Sequence, residues 1–146
     1  MIHVLCRLGH GVQIRFEFRR RTTPATIAAP GHSDVFTAPA VDGRWLFAAT
    51  FSATAAYRLD RRRLRKVWEL PTPGTSPVVA GGLLYVYDPR GSLNVYAPTT
   101  GRVLAQLPAG PGHWNSPIVT GGRVILPEGN ANDHGLAGVL NVYSLR

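Results

Sequence analysis

The sequence predicts an all-β fold, a partial β-propeller of about three four-stranded antiparallel blades that form an open arc and not a closed ring. Three observations predict it: a sequence repeat of about forty residues, a turn-forming Gly or Pro nearly every ten residues, and short β-prone runs between those turns. Gly and Pro number 16 and 12 without a collagen-like period, as many turns between short strands require. No segment shows sustained apolar recurrence at three and four residues, so helices are not expected.

The repeat can be read directly. Ser76-Pro77-Val78-Val79-Ala80-Gly81-Gly82 returns 40 residues later as Ser116-Pro117-Ile118-Val119-Thr120-Gly121-Gly122. Leu93-Asn94-Val95-Tyr96 returns unchanged as Leu140-Asn141-Val142-Tyr143. A more diverged copy, Ala38-Pro39-Ala40-Val41-Asp42-Gly43, precedes both, with Tyr57 in the place of Tyr96.

Taken in order, Val12, Ile14, Phe16 and Phe18 alternate with Gln13, Arg15, Glu17 and Arg19, the period of a strand. Ala25–Pro30 can stand for the last strand of a preceding blade. Residues 1–32 therefore read as a poorly matched segment with one or two strands, and 33–146 as repeats, with blades near 33–71, 74–108 and 113–146. Each blade opens on a short strand led by a proline, which is tolerable where no ladder donor is needed; these strands are expected near 38–41, 76–80 and 116–119. Asp42-Gly43 and Gly81-Gly82 supply the positive φ of a tight hairpin. Second strands follow near 83–87 and 123–126, and third strands near 93–97 and 139–143. Thr100-Gly101 turns the chain into a fourth strand near 102–107 that ends at Pro108. Closure takes at least about four blades. With its last residues inside a third strand, the chain reads as the C-terminal end of a longer propeller. The alternative is a self-standing arc that pairs its open edges with another copy.

Ser76-Pro77-Val78-Val79, Gly81-Gly82, Leu84-Tyr85-Val86, Gly91-x-Leu93 and Thr100-Gly101-Arg102 together resemble the pyrroloquinoline-quinone (PQQ)-like propeller repeat. The resemblance covers roughly 33–146 and is best in 74–126. That family includes quinoprotein alcohol dehydrogenases and non-enzymatic relatives such as an outer-membrane assembly lipoprotein, often periplasmic or secreted. Its blade-ending motif, Ala-x-Asp-x-x-Thr-Gly-Lys-x-x-Trp, is divided between copies here. The first keeps Asp60, Arg65 and Trp68 but has Arg63-Leu64 for Thr-Gly; the second keeps Thr100, Gly101 and Arg102 but has Ala105 for Trp.

Composition narrows the function classes. Cys6 is the only cysteine, so neither an internal disulfide nor a Cys-pair metal site can form. The vicinal cysteine pair that the resemblance places beside the quinone in many alcohol dehydrogenases is equally impossible, and PQQ is not expected in this chain. No Gly-x-Ser-x-Gly elbow, P-loop or His-Glu-x-x-His is present. The N-terminus does not read as a secretory signal, because Arg7 interrupts its only early apolar stretch; the chain would be cytoplasmic as written, and the sequence leaves its compartment unknown. The uncharged stretch Val103–Gly122 is broken by Pro108, Pro111 and Pro117 and is rejected as a membrane span. The net charge of +8 is concentrated in the clusters Arg19–Arg21 and Arg61–Lys66, an asymmetry a solvated turn explains and an anionic partner would exploit. Nucleic acid is not the expected partner.

One region stands out as a candidate site. Gly82 to Leu93 spans 11 residues, whereas Gly122 to Leu140 spans 18. The added residues fall in Glu128-Gly129-Asn130-Ala131-Asn132-Asp133-His134-Gly135, a loop between second and third strands. In an antiparallel meander that loop emerges at the same end as the link Gly112-His113-Trp114-Asn115. His113, Trp114, Asn115, Asn130 and His134 are therefore expected on one partner-binding face. Glu128, Asn130, Asn132 and Asp133 carry oxygens at spacings a calcium ion could use, with a ligand-free connector as the simpler reading. The leading functional expectation is a non-catalytic interaction or scaffold module that binds a protein or polysaccharide, with no cofactor. The rivals are a fragment of a PQQ-dependent oxidoreductase and an anion or nucleic-acid binder acting through the Arg clusters.

Overall fold

A computed structural model describes residues 26–61, 63–129 and 138–144. Three antiparallel sheets follow one another along the chain. The first contains β1 (Ala40–Asp42), β2 (Trp45–Ala49), β3 (Thr54–Asp60) and β4 (Arg63–Leu70), in that spatial order. The second repeats the meander with β5 (Val78–Ala80), β6 (Leu83–Asp88), β7 (Ser92–Tyr96) and β8 (Val103–Pro108). The third holds β9 (Ile118–Thr120), β10 (Arg123–Glu128) and β11 (Val139–Ser144), three strands among the described residues. The first strands touch from blade to blade, β1 with β5 and β5 with β9, so they form the inner wall of the arc and β4 and β8 its outer rim. The helical piece among the described residues is one 3-10 turn, Pro30–His32.

Turn chemistry sets the hairpins. Gly81 and Gly82 have φ of 58° and 74°, and Gly121 and Gly122 repeat this with 55° and 70°, the pair of left-handed residues a two-residue hairpin needs. The first blade differs from expectation: Gly43 takes φ 56°, and the turn is Gly43-Arg44, because Asp42 still pairs with Trp45. The innermost strands begin at Ala40, Val78 and Ile118, one residue after each proline and not on it, since Pro has no N–H to enter the ladder. Residues 26–29 lie outside the strands. They are held from the side, where Ile27 packs against the cluster of Leu46, Ala48, Ala55 and Tyr57 and the Tyr57 hydroxyl donates to the Ala28 carbonyl at 3.1 Å.

Alternation along each strand puts one apolar set on each face of a blade. Phe47, Ala49 and Ala56 meet Leu84, Val86 and Tyr96 at the first seam. Tyr85, Tyr87, Leu93 and Val95 meet Val124 and Leu126 at the second. At the first seam the Trp68 ring lies against Gly101, whose position leaves no room for a Cβ, and its indole N–H donates to the Pro98 carbonyl at 2.8 Å. The registers make Trp68 and Ala105 repeat equivalents, opposite Ala56 and Val95.

Burial pushes up the phenol pKa values of Tyr57, Tyr85, Tyr96 and Tyr143. That of Tyr87 is pushed up to about 12, by burial first and then by the carboxylates of Glu128 and Asp88. The unfolded chain releases these protons near pH 10. The folded state holds them longer, so their stabilisation is complete below about pH 10 and is lost as pH rises towards the folded values. The melting temperature should therefore fall by about 10 °C between pH 9 and 11.5, and Tyr87→Phe should flatten part of that fall. A flat profile by circular dichroism would contradict this.

Candidate functional site

The inner links and the loops between second and third strands share one end of the arc. The link before the second blade is pinned there, with Gly74 N–H donating to Thr50 O at 2.8 Å and Thr75 N–H to Tyr87 O at 2.9 Å. The Thr75 hydroxyl then donates to the Asn115 carbonyl, and Ser116 Oγ to Ser76 O at 3.3 Å, tying that link to the next one. Gly112 N–H donates to Pro89 O at 3.0 Å, which fixes the next link against the second blade.

Four aromatic rings from three of these segments gather at this end. The His113 and Trp114 rings stack at 4.5 Å, Trp114 stacks on Phe36 at 6.0 Å, Phe36 meets Phe51 at 5.7 Å, and Phe51 stacks on His113 at 6.4 Å. Phe36, Phe51 and Trp114 are each about half exposed, which makes this a platform and not a core. A crevice lined by Phe36, Thr37, Thr50, Phe51, Gly74 and Thr75 runs beside it. Thr37 Oγ1 and His113 Nδ1 are buried here without hydrogen-bond partners.

Hydrogen bonds brace the loops that present Phe51 and His113. Thr50 Oγ1 accepts the N–H groups of Ser52 and Ala53 at 3.2 and 3.1 Å, and its own N–H donates to Ala53 O at 2.8 Å, so the turn that presents Phe51 is closed on itself. Strand register makes Thr50, Asp88 and Glu128 repeat equivalents, three residues beyond Phe47, Tyr85 and Ile125. Asp88 accepts the Arg90 N–H at 2.9 Å and pairs with its guanidinium at 2.7 Å. Glu128 Oε1 accepts the Gly110 N–H at 2.6 Å and the Asn141 amide. Thr50 and Asp88 thus organise their own loops, whereas Glu128 fastens the link into the third blade and the strand β11.

The sequence-derived candidates separate accordingly. His113 and Trp114 are in the platform. Asn115 is turned inward, its amide donating to Pro127 O at 2.7 Å. Glu128 closes on Gly110 at the same end of the blade, while Asn130, Asn132, Asp133 and His134 lie outside the described residues. Among the described residues no three His, Cys, Asp or Glu side chains gather as a metal site would require. Phe36 and Phe51 escaped sequence reasoning, although one signal was available. Phe36 and Trp114 each stand three residues before a repeat proline, and Gly74 holds that place in the middle copy.

The basic residues of the first blade lie at the other end. Arg58 faces Arg65 across β3 and β4 and lies 5.8 Å over the Trp45 ring. With Arg44, Asp60 and Lys66 they line an open groove, and Lys66 is paired with Glu69 at 2.8 Å.

Four-stranded meanders arranged around a common inner wall define a propeller-type repeat protein. The chain belongs to the PQQ-like repeat family of the outer membrane protein assembly factor BamB, whose family model matches residues 19–107. The match begins earlier than the repeats do and ends before the third blade. No curated protein matches the chain. Among solved structures, the chain is similar to BamB from Moraxella catarrhalis, at 14% identity and a TM-score of 0.60, covering 94% of this chain and 44% of that one. A europium-containing methanol dehydrogenase is similar at 15% identity and a TM-score of 0.63, over 73% of this chain and 22% of the other. The computationally designed Ika4 protein matches at 12% identity and a TM-score of 0.65, over 99% of this chain and 86% of that one. The chain thus spans about a fifth of the methanol dehydrogenase and less than half of BamB, and at these identities the likeness is one of fold. No helix among the described residues is long and apolar enough to cross a membrane.

Proposed function

We propose that the chain is a non-catalytic interaction module that holds a partner protein at its loop end, through the platform of Phe36, Phe51, His113 and Trp114. The observation that carries this reading is the gathering of four rings from three segments, with Phe36, Phe51 and Trp114 each about half exposed. Rigid aromatic surface binds apolar side chains at small entropic cost, and aromatic anchors dominate binding energy in protein interfaces. A sugar ring would also stack, but its hydroxyls need several polar groups at the rim. Here the Asn115 amide and the Thr75 hydroxyl are spent on Pro127 and Asn115 carbonyls, and the partnerless Thr37 Oγ1 and His113 Nδ1 are buried rather than placed at the rim. Kinship with an assembly factor agrees with a polypeptide partner.

Selection of a phage-displayed peptide library on the full chain tests this. The peptides recovered should carry aromatic or branched apolar anchors, and Trp114→Ala and Phe51→Ala should each weaken their binding about tenfold or more. Equal affinity for the wild type and both variants would refute the platform as the site. Enrichment of oligosaccharides and not peptides on arrays would refute the choice of partner.

A further inference from the structure

The hairpin of β3 and β4 runs further than its repeat equivalent. In the second blade the ladder of β7 and β8 stops at Tyr96 and Val103. Tyr57 and Lys66 are the matching pair in the first blade, yet there the ladder continues through Arg58–Arg65, Leu59–Leu64 and Asp60–Arg63. Two extra residues allow this: Tyr57 to Lys66 is a step of nine, and Tyr96 to Val103 one of seven. The Leu59 N–H also donates to the Arg44 carbonyl at 2.8 Å, so the β1–β2 turn lies against the added length. Arg58 and Arg65 are direct cross-strand partners, a like-charge placement that costs stability when nothing lies between the two charges. Arg58 is steadied over the Trp45 ring at 5.8 Å, and that ring stacks in turn on Phe47 at 6.2 Å. Among the described residues Arg44, Arg58 and Arg65 form no ion pair. Asp60, the one carboxylate lining their groove, stands opposite Arg63, and Lys66 is taken by Glu69.

We propose that the groove of Arg44, Arg58 and Arg65 is a binding site for a dianionic phosphate group, free or carried as a monoester. Charge and shape select this ligand. Two facing guanidinium forks with a third cation beside them exceed what one planar carboxylate can satisfy. They match a tetrahedral group with three free oxygens and nearly two charges. Such an anion turns a repulsive pair into a bridged one. A further part of the propeller does not suit the groove. The Arg58–Arg65 row continues the face of Ala56 and Trp68, which meets the second blade, so a blade added before or after this chain would stack elsewhere. Residues 1–25 carry five Arg against one Glu, the wrong charge to fill it. The site lies at the opposite end from the aromatic platform and is independent of it.

Isothermal titration of inorganic phosphate into the full chain at constant ionic strength should show one saturable site with a Kd on the order of 1 mM. Arg58→Gln and Arg65→Gln should each weaken it about tenfold. Arg123→Gln, on the third blade, should leave it unchanged. Arg65→Glu gives a readout that a merely structural role would not. Relief of the like-charge pair should raise the melting temperature by about 2 °C in phosphate-free buffer, while phosphate binding is lost. Glycerol phosphate and phosphoserine, titrated alongside, separate the two sources: tighter binding of an ester assigns the monoester, and equal or weaker binding assigns the free ion. No heat of binding up to about 10 mM phosphate, equal binding of chloride, or binding that survives Arg65→Glu would overturn the proposal.

Discussion

Trp68→Ala should lower the stability of the chain by about 3 kcal/mol, or roughly 6–12 °C in melting temperature. The indole joins the outer strand of the first blade to the 98–101 turn of the second, lying on Gly101 and donating to the Pro98 carbonyl. Its ring also approaches Phe47 and Tyr96 at 6.5 and 6.2 Å. Truncation removes these contacts together and leaves a gap that the rigid turn cannot close. Trp68→Phe should recover about half of the loss, since it restores a ring but leaves the Pro98 carbonyl without its donor. Thermal denaturation of the three proteins decides the matter, and an alanine variant melting within 2 °C or so of wild type would contradict it.

Gly74→Val should be still more damaging, costing at least about 3 kcal/mol and in practice preventing recovery of folded protein. A Cβ at this position would stand 2.4 Å from Val86 Cγ1, 2.9 Å from the Ala49 Cβ and 3.0 Å from Thr54 Oγ1. The backbone cannot retreat, because Gly74 N–H is bonded to Thr50 O at 2.8 Å and Thr75 N–H to Tyr87 O at 2.9 Å. Gly121 makes the contrast. Its φ is 55° and nothing lies within 4 Å of its Cβ direction, so Gly121→Asn should cost less than about 1 kcal/mol. Soluble yield and chemical denaturation of the pair measure the difference; similar behaviour of the two variants would show that the crowding at Gly74 is relieved.

Much of this was legible in the sequence because propeller grammar is local. Gly81-Gly82 adopts the turn its sequence predicts and Gly121-Gly122 repeats it, and Leu93–Tyr96 and Leu140–Tyr143 occupy equivalent strands. The divided blade-ending motif was legible too, and Trp68 meets Gly101 across the first seam. What the sequence obscured depends on distant segments meeting. Phe36, Phe51 and Trp114 look like unrelated loop residues until three links converge. In the sequence Glu128 stands beside Asn130 and Asp133, while in the fold its carboxylate accepts the N–H of Gly110, 18 residues away. The Asn115 amide likewise meets the Pro127 carbonyl, 12 residues away.

The absence of an indole at Ala105 has a mechanical consequence. At the first seam Trp68 fastens the outer rim, whereas at the second the rim strand β8 exposes Val103 and Leu104, and no fourth strand stands beside β11 among the described residues. The third blade is held to the second by the Tyr85–Val124 cluster and by two phenols, the Tyr87 hydroxyl donating to Gly110 O at 2.7 Å and the Tyr143 hydroxyl to Pro108 O at 2.6 Å, so hydroxyls at this seam do the work that an indole does at the first. Phe36 and Phe51 belong to the first blade and His113 and Trp114 to the link into the third, so a ligand lying across those rings would bridge blades that are not neighbours in the chain.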